Sequence, residues 1–176
     1  MNQAPIVTLY AGFTGEHMDK VNEAVLEHLA RAGIEGPSAY VMQTVVDELL
    51  CNVLEHGSAL WIEMELRPEG RKVRLVMRDN GPAFDPMPAI CSSLPQQEGE
   101  APAPRNMGLF MVGQLAREWV YHRLEVGVNQ LTMAVELSPE DGVRWSEHSG
   151  VRLLIMVADE TGEKAEALQG VQRRRS

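Results

Sequence analysis

Glu48, Asn52 and His56 recur at i, i+4 and i+8 in a stretch that is otherwise largely apolar, a spacing that sets them on one stripe of a helix. Two further segments carry comparable chemistry: Asp79-Asn80-Gly81-Pro82-Ala83-Phe84-Asp85-Pro86, and Arg105-Asn106-Met107-Gly108-Leu109-Phe110. A glutamate can take a proton from an attacking oxygen. An asparagine oxygen can meet a hard cation without adding charge. An aspartate accepts hydrogen bonds, and a glycine lets a ligand approach the backbone. Taken singly, each segment also has a plainer explanation: a solvated helix face, a turn of Asn and Gly, or a glycine needed for packing.

The elements that must position these residues follow from periodicity. Val41, Val45, Leu49 and Val53 form one apolar row, and Met42, Val46, Leu50 and Leu54 a second. A helix apolar on two sides is central to its domain. This one starts at Gly36-Pro37-Ser38 and is expected to stop at Gly57. Before it, Ile6, Val7, Leu9 and Tyr10 mark a strand ending at Gly12, and Met18, Val21, Val25 and Leu29 a helix ending near Gly33. After it, Leu60, Ile62, Met64 and Leu66 alternate with Trp61, Glu63, Glu65 and Arg67, and Val73, Leu75 and Met77 with Arg74 and Arg78, which predicts a hairpin turning at Pro68-Glu69-Gly70.

The second strand of that hairpin runs straight into Asp79. From Pro82 to Pro104 the composition turns to Pro, Ser, Gln, Glu and Ala, the mark of a lid or binding loop. A helix carrying Leu109, Met111, Val112 and Leu115 follows. Strands at Val120–Val126 and Leu131–Leu137 come next, joined through Gly127-Val128-Asn129. Beyond residue 138, Val151–Val157 reads as one more strand, with Val143-Arg144-Trp145 as a candidate partner, and the last fifteen residues as a short helix or disordered chain.

The 176 residues suit one domain with an ordinary core. A net charge of −9 speaks against nucleic-acid binding, and Arg173-Arg174-Arg175 reads as a solvated end. Cys51 and Cys91 form neither a metal pattern nor a disulfide framework. No signal-peptide pattern is visible, and no apolar run approaches the roughly 20 residues of a membrane span. These features together suggest a soluble, cytoplasmic protein with no membrane partner.

In this order, the three segments resemble the N box, the first glycine box and the second glycine box of the GHKL, or Bergerat-fold, ATPases. The likeness runs from roughly Ile6 to Leu137. Glu-x-x-x-Asn-x-x-x-His and Asp-x-Gly-Pro-x-Phe-Asp-Pro are similar to the branch of anti-sigma-factor serine/threonine kinases.

The resemblance implies an α+β fold: a two-layer α/β sandwich whose mixed, mostly antiparallel sheet is covered on one face by three helices. It implies a kinase-like domain over residues 1–138, a lid at about 82–105, and an extension over 139–176. That extension could add a strand, support a homodimer or dock a partner. ATP and Mg²⁺ are the implied cofactors. Asp79 would accept from the adenine amine, Gly81 and Ala83 would border the base, and Asn52 would bind the metal. Glu48 would be the catalytic base, and Asn106 and Gly108 would bring backbone N–H groups to the phosphates. His56 is more simply structural.

The implied partners are a STAS-domain antagonist of an anti-sigma factor, and a sigma factor or other regulator. Ala83 replaces the second glycine of the usual Asp-x-Gly-x-Gly, and Asn106 the first of Gly-x-Gly. A degenerate domain that sequesters a partner without chemistry is therefore the alternative. The pattern does not resemble a sensor histidine kinase: no long helical pair precedes Glu48, and His17 and His28 share one short helix.

Overall fold

The computed structural model describes residues 6–11, 15–56, 58–91, 107–142 and 150–157. Six strands, β1 (Ile6–Ala11), β2 (Trp61–Glu69), β3 (Lys72–Asp79), β4 (Arg117–Leu124), β5 (Val128–Glu136) and β6 (Val151–Val157), form one sheet in the order β1-β6-β2-β3-β5-β4. Every pairing is antiparallel except β1 with β6. The helices are α1 (Gly15–Arg31), α2 (Pro37–His56), α3 (Met87–Cys91) and α4 (Met107–Leu115). None of the described helices is long and apolar enough to cross a membrane.

Period two decides which face of the sheet the helices cover. Ile62, Met64 and Leu66 of β2, Val73, Leu75 and Met77 of β3, and Leu131, Met133 and Val135 of β5 are all buried in one core. Val21, Val25 and Leu29 of α1 join them, as do both apolar rows of α2 through Met42, Val45, Val46, Leu49, Leu50 and Leu54. α1 packs on α2 and β1, and α2 lies against α4 and β5. The entry of α2 is pinned to the exit of β5: the Ser138 N–H donates to Ser38 Oγ at 2.8 Å.

The opposite face is a lattice of charge. Glu63 accepts from Arg78 at 2.7 Å and from Arg152 at 2.9 Å, tying β3, β2 and β6 together. Glu65 pairs with Arg67 at 2.7 Å. Nearer the edge, Arg74 bonds Glu69 and Glu118, and Lys72 bonds Glu118. Arg74 holds the Glu69 carboxyl below its usual range, and Lys72, then Arg74, do the same for Glu118. These outer pairs are solvated and add little stability. Glu118 sits at the bulge in edge strand β4 with a φ of 58°, and such irregularities discourage pairing with a foreign strand.

Two elements depart from expectation. The segment read as a featureless lid begins with a short helix, α3. Asp85 Oδ1 accepts the Met87 N–H at 2.9 Å, which caps the turn, and Ile90 anchors it in the core. The described helices thus number four rather than three. The second departure is β6. Both of its edges are occupied, by β1 and by β2, so Val151–Val157 is an inner strand, while Val143-Arg144-Trp145 lies outside the described residues.

Two outcomes follow. A chain ending at Gly142 strips β1 of its partner and opens an edge of β2, and should show no cooperative thermal transition by circular dichroism. Glu63→Ala leaves two guanidinium groups short of an acceptor and should lower stability by about 2 kcal/mol in urea titration. Glu118→Ala, on the solvated rim, should leave the urea midpoint near that of the parent.

Candidate functional site

The site forms where β3 ends beneath α2. Asp79 is the last residue of β3 and faces the helices, in phase with Val73, Leu75 and Met77. Leucines or valines would normally fill such a position, yet the Asp79 side chain is buried there, with a relative exposure of 8%. A buried carboxylate must be given donors. Oδ1 receives two: the Gly81 N–H at 2.8 Å and Asn129 Nδ2 at 2.9 Å.

Gly81 makes this turn sterically possible. A Cβ on it would lie 2.9 Å from Asp79 Oδ1 and 3.5 Å from Ala59 Cβ, so a side chain would push the backbone off the carboxylate. Asn80 anchors the same turn from the other side. Its Oδ1 accepts the N–H groups of Leu60 and Trp61 at 2.8 and 3.2 Å.

A pocket opens above Asp79. α2 contributes Leu49, Asn52 and Val53, and β3 contributes Met77 and Asp79. The turn adds Gly81, Pro82, Phe84 and Pro86, and the last hairpin adds Tyr121, Asn129 and Leu131. Apolar walls with a carboxylate at the end suit a flat base that offers a donor. Asn52 stands on the same wall as Leu49 and Val53.

Glu48 lies one turn before Asn52 and outside this lining. Its carboxylate rests on Gly108, in the first turn of α4. A Cβ built at Gly108 would overlap Glu48 Oε2 and lie 2.8 Å from Glu48 Cδ. Gly108 therefore acts as a seat for the glutamate, where the positive end of the α4 dipole favours negative charge.

Of the residues expected at the site, Asn52, Asp79 and Gly81 share the pocket, and Glu48 and Gly108 meet beside it. Ala83 is exposed and outside the lining, so its missing glycine falls away from the pocket wall. Asn106 and the His56 side chain lie outside the described residues. Burial, then the charges of Glu48, Glu55 and Asp47, push the Cys51 thiol above its ordinary value, which keeps this neighbour protonated and inert.

A family model described as the histidine kinase-like ATPase domain matches residues 13–135, more than half of the chain. The chain belongs to the histidine kinase-like ATPase family. It is also similar to the serine/threonine-protein kinase BtrW of Bordetella bronchiseptica, with 31% identity over 120 residues, covering 65% of this chain and 83% of the relative. An ATPase domain implies ATP binding. The matched range contains every pocket residue and excludes both β1 and β6.

Asn129, Tyr121 and Arg123 were not among the residues expected from sequence. Asn129 read as part of a turn, whereas β5 begins at Val128 and places it in phase with Leu131, Met133 and Val135. A polar residue at an inward strand position was the available signal.

The seat of Glu48 gives a test. Gly108→Ala should displace the carboxylate, the flexible end of a side chain, without disturbing the core. The variant should melt near the parent temperature and bind ATP, yet hydrolyse or transfer phosphate at least roughly tenfold more slowly. Parallel thermal melts, calorimetry and radiolabel assays check this.

Proposed function

We propose that this domain is a serine/threonine kinase that binds Mg-ATP and phosphorylates a small STAS-type antagonist protein in the cytoplasm, as one component of a partner switch that controls a sigma factor or similar regulator. The supporting observation is that Asn52, from α2, lines the same pocket as Asp79, at the end of β3. The name of the Bordetella relative, a serine/threonine-protein kinase, supports a protein hydroxyl as acceptor.

In this reading the base lies between the apolar walls with its exocyclic amine on Asp79, whose carboxylate only accepts. Asn52 is the residue that would hold Mg²⁺. Among the described residues no group of three or more His, Cys, Asp or Glu side chains could hold a metal. One neutral amide oxygen fits an ion that takes few protein ligands and keeps water and substrate phosphates around it. When bound, it would neutralise charge on the phosphates.

Glu48 takes the proton from the serine or threonine hydroxyl as that oxygen bonds to the γ-phosphorus. The bond from the γ-phosphorus to the bridging oxygen breaks, and ADP leaves. The phosphorylated acceptor then carries about −1.5 to −2 additional charge. With a kinase of net charge −9, the product is repelled and released.

The test uses the protein with labelled ATP, Mg²⁺ and a candidate STAS protein. The parent should label a serine or threonine of that protein. Glu48→Gln should slow labelling by about 10²-fold or more and leave ATP affinity near the parent value, while Asp79→Ala should abolish ATP binding in calorimetry. ATP binding without transfer, or transfer indifferent to Glu48→Gln, would replace the kinase by a sequestering domain.

A further inference from the structure

Asn129 is the most completely bonded side chain near the pocket. It is buried, at 6% relative exposure, and uses its full hydrogen-bonding capacity. Nδ2 donates to Asp79 Oδ1 at 2.9 Å and to the Pro82 carbonyl at 2.8 Å. Oδ1 accepts from Tyr121 Oη at 2.9 Å and from Arg123 Nη1 at 2.8 Å. The amide can stand only one way round. Its nitrogen faces a carboxylate and a carbonyl, and its oxygen faces a guanidinium, so a flip would set donors against a donor and acceptors against acceptors.

Strand register builds this arrangement. Asp79 is the direct partner of Asn129 between β3 and β5, and Asn129 is the direct partner of Arg123 between β5 and β4. The three side chains form one row across the helix-facing side of the sheet, within reach of one another. Arg123 Nη1 also donates to the Gly81 carbonyl at 2.9 Å. One guanidinium thus holds both the hub and the turn that covers Asp79.

The consequence falls on Asp79. Among the described residues both of its hydrogen bonds end on Oδ1, a backbone N–H and an amide N–H. That oxygen is occupied, and Oδ2 is the acceptor left for a ligand. Asn129 has no capacity left for a base, so it and its two partners work through Asp79.

We propose that Tyr121 and Arg123, acting through Asn129, are positioning residues that fix the Asp79 carboxylate and thereby set discrimination between purines with and without a 6-amino group. This rests on the ATP-site reading above. A fixed carboxylate accepts from adenine and is set against the 6-carbonyl of hypoxanthine. A carboxylate free to rotate can turn away from that carbonyl or recruit water between them.

The experiment measures affinity for ATP and for inosine triphosphate, which differ at that position, using the full chain. Tyr121→Phe removes one hydroxyl and keeps the ring in the pocket wall. Arg123→Met removes both donors and keeps a stem of similar length. The parent should prefer ATP, and each variant should lose about tenfold of the ATP-to-ITP ratio, as expected for one hydrogen bond, chiefly through weaker ATP binding. A parent-like ratio in both variants overturns the proposal, as does an equal loss for both nucleotides accompanied by a lower melting temperature, which is the signature of a merely structural clamp. A parent that binds neither nucleotide fails at the ATP-site reading itself, a distinct result.

Discussion

A carboxylate enclosed at the end of a β-strand has to be met by donors, and much of the architecture around the pocket follows from satisfying Asp79. An unpaired charge there would be far more costly than any single apolar contact could offset. The turn at Gly81 is folded back to supply one N–H, and the neighbouring strand supplies an amide. That amide is held by a tyrosine and an arginine from the next strand. The outcome is a polar row running across three strands of an otherwise apolar sheet face, at the end where a ligand can enter.

α2 is the counterpart of that row. Its two apolar rows are consumed by the core, which prevents the helix from rolling and fixes the direction of its one polar stripe. Asn52 is thereby committed to the pocket and Glu48 to the first turn of α4. The contact with Gly108 makes the position of the glutamate depend on an element far from it in the chain. A shift of α4 relative to α2 would move the Glu48 carboxylate that rests on it.

The other face of the sheet solves a different problem. With the described helices on the other side, β2 and β3 carry alternating charges on their outer face, and Glu63 joins β2, β3 and β6 through Arg78 and Arg152. Because these pairs run across strands, they favour one register over a slip of one residue, which would turn the whole apolar set outward. β6 takes part in that lattice through Arg152 and in the core through Val151, Leu153 and Ile155. The last described strand is thus integral to the sheet, although it lies beyond the range that matches the family.

Local pattern was sufficient for the amphipathic rows of α1 and α2, the alternation of β2 and β3, and the placing of Glu48 and Asn52 on one stripe, since each depends only on the pitch of a helix or the pleat of a strand. The order of the three segments was enough to suggest the family. Tertiary structure alone decided what those residues touch. The neighbours of β6 are set by strands at the start and middle of the chain, a pairing that no spacing within Val151–Val157 encodes. α3 rests on one capping aspartate and one buried isoleucine, too short for any period to register. Asn129 looked like a turn residue because Gly127 precedes it, and only the register of β5 against β3 and β4 made it the centre of a hydrogen-bonded row. Periodicity is a property of neighbouring residues, whereas a buried polar site is assembled by strands brought together across the chain.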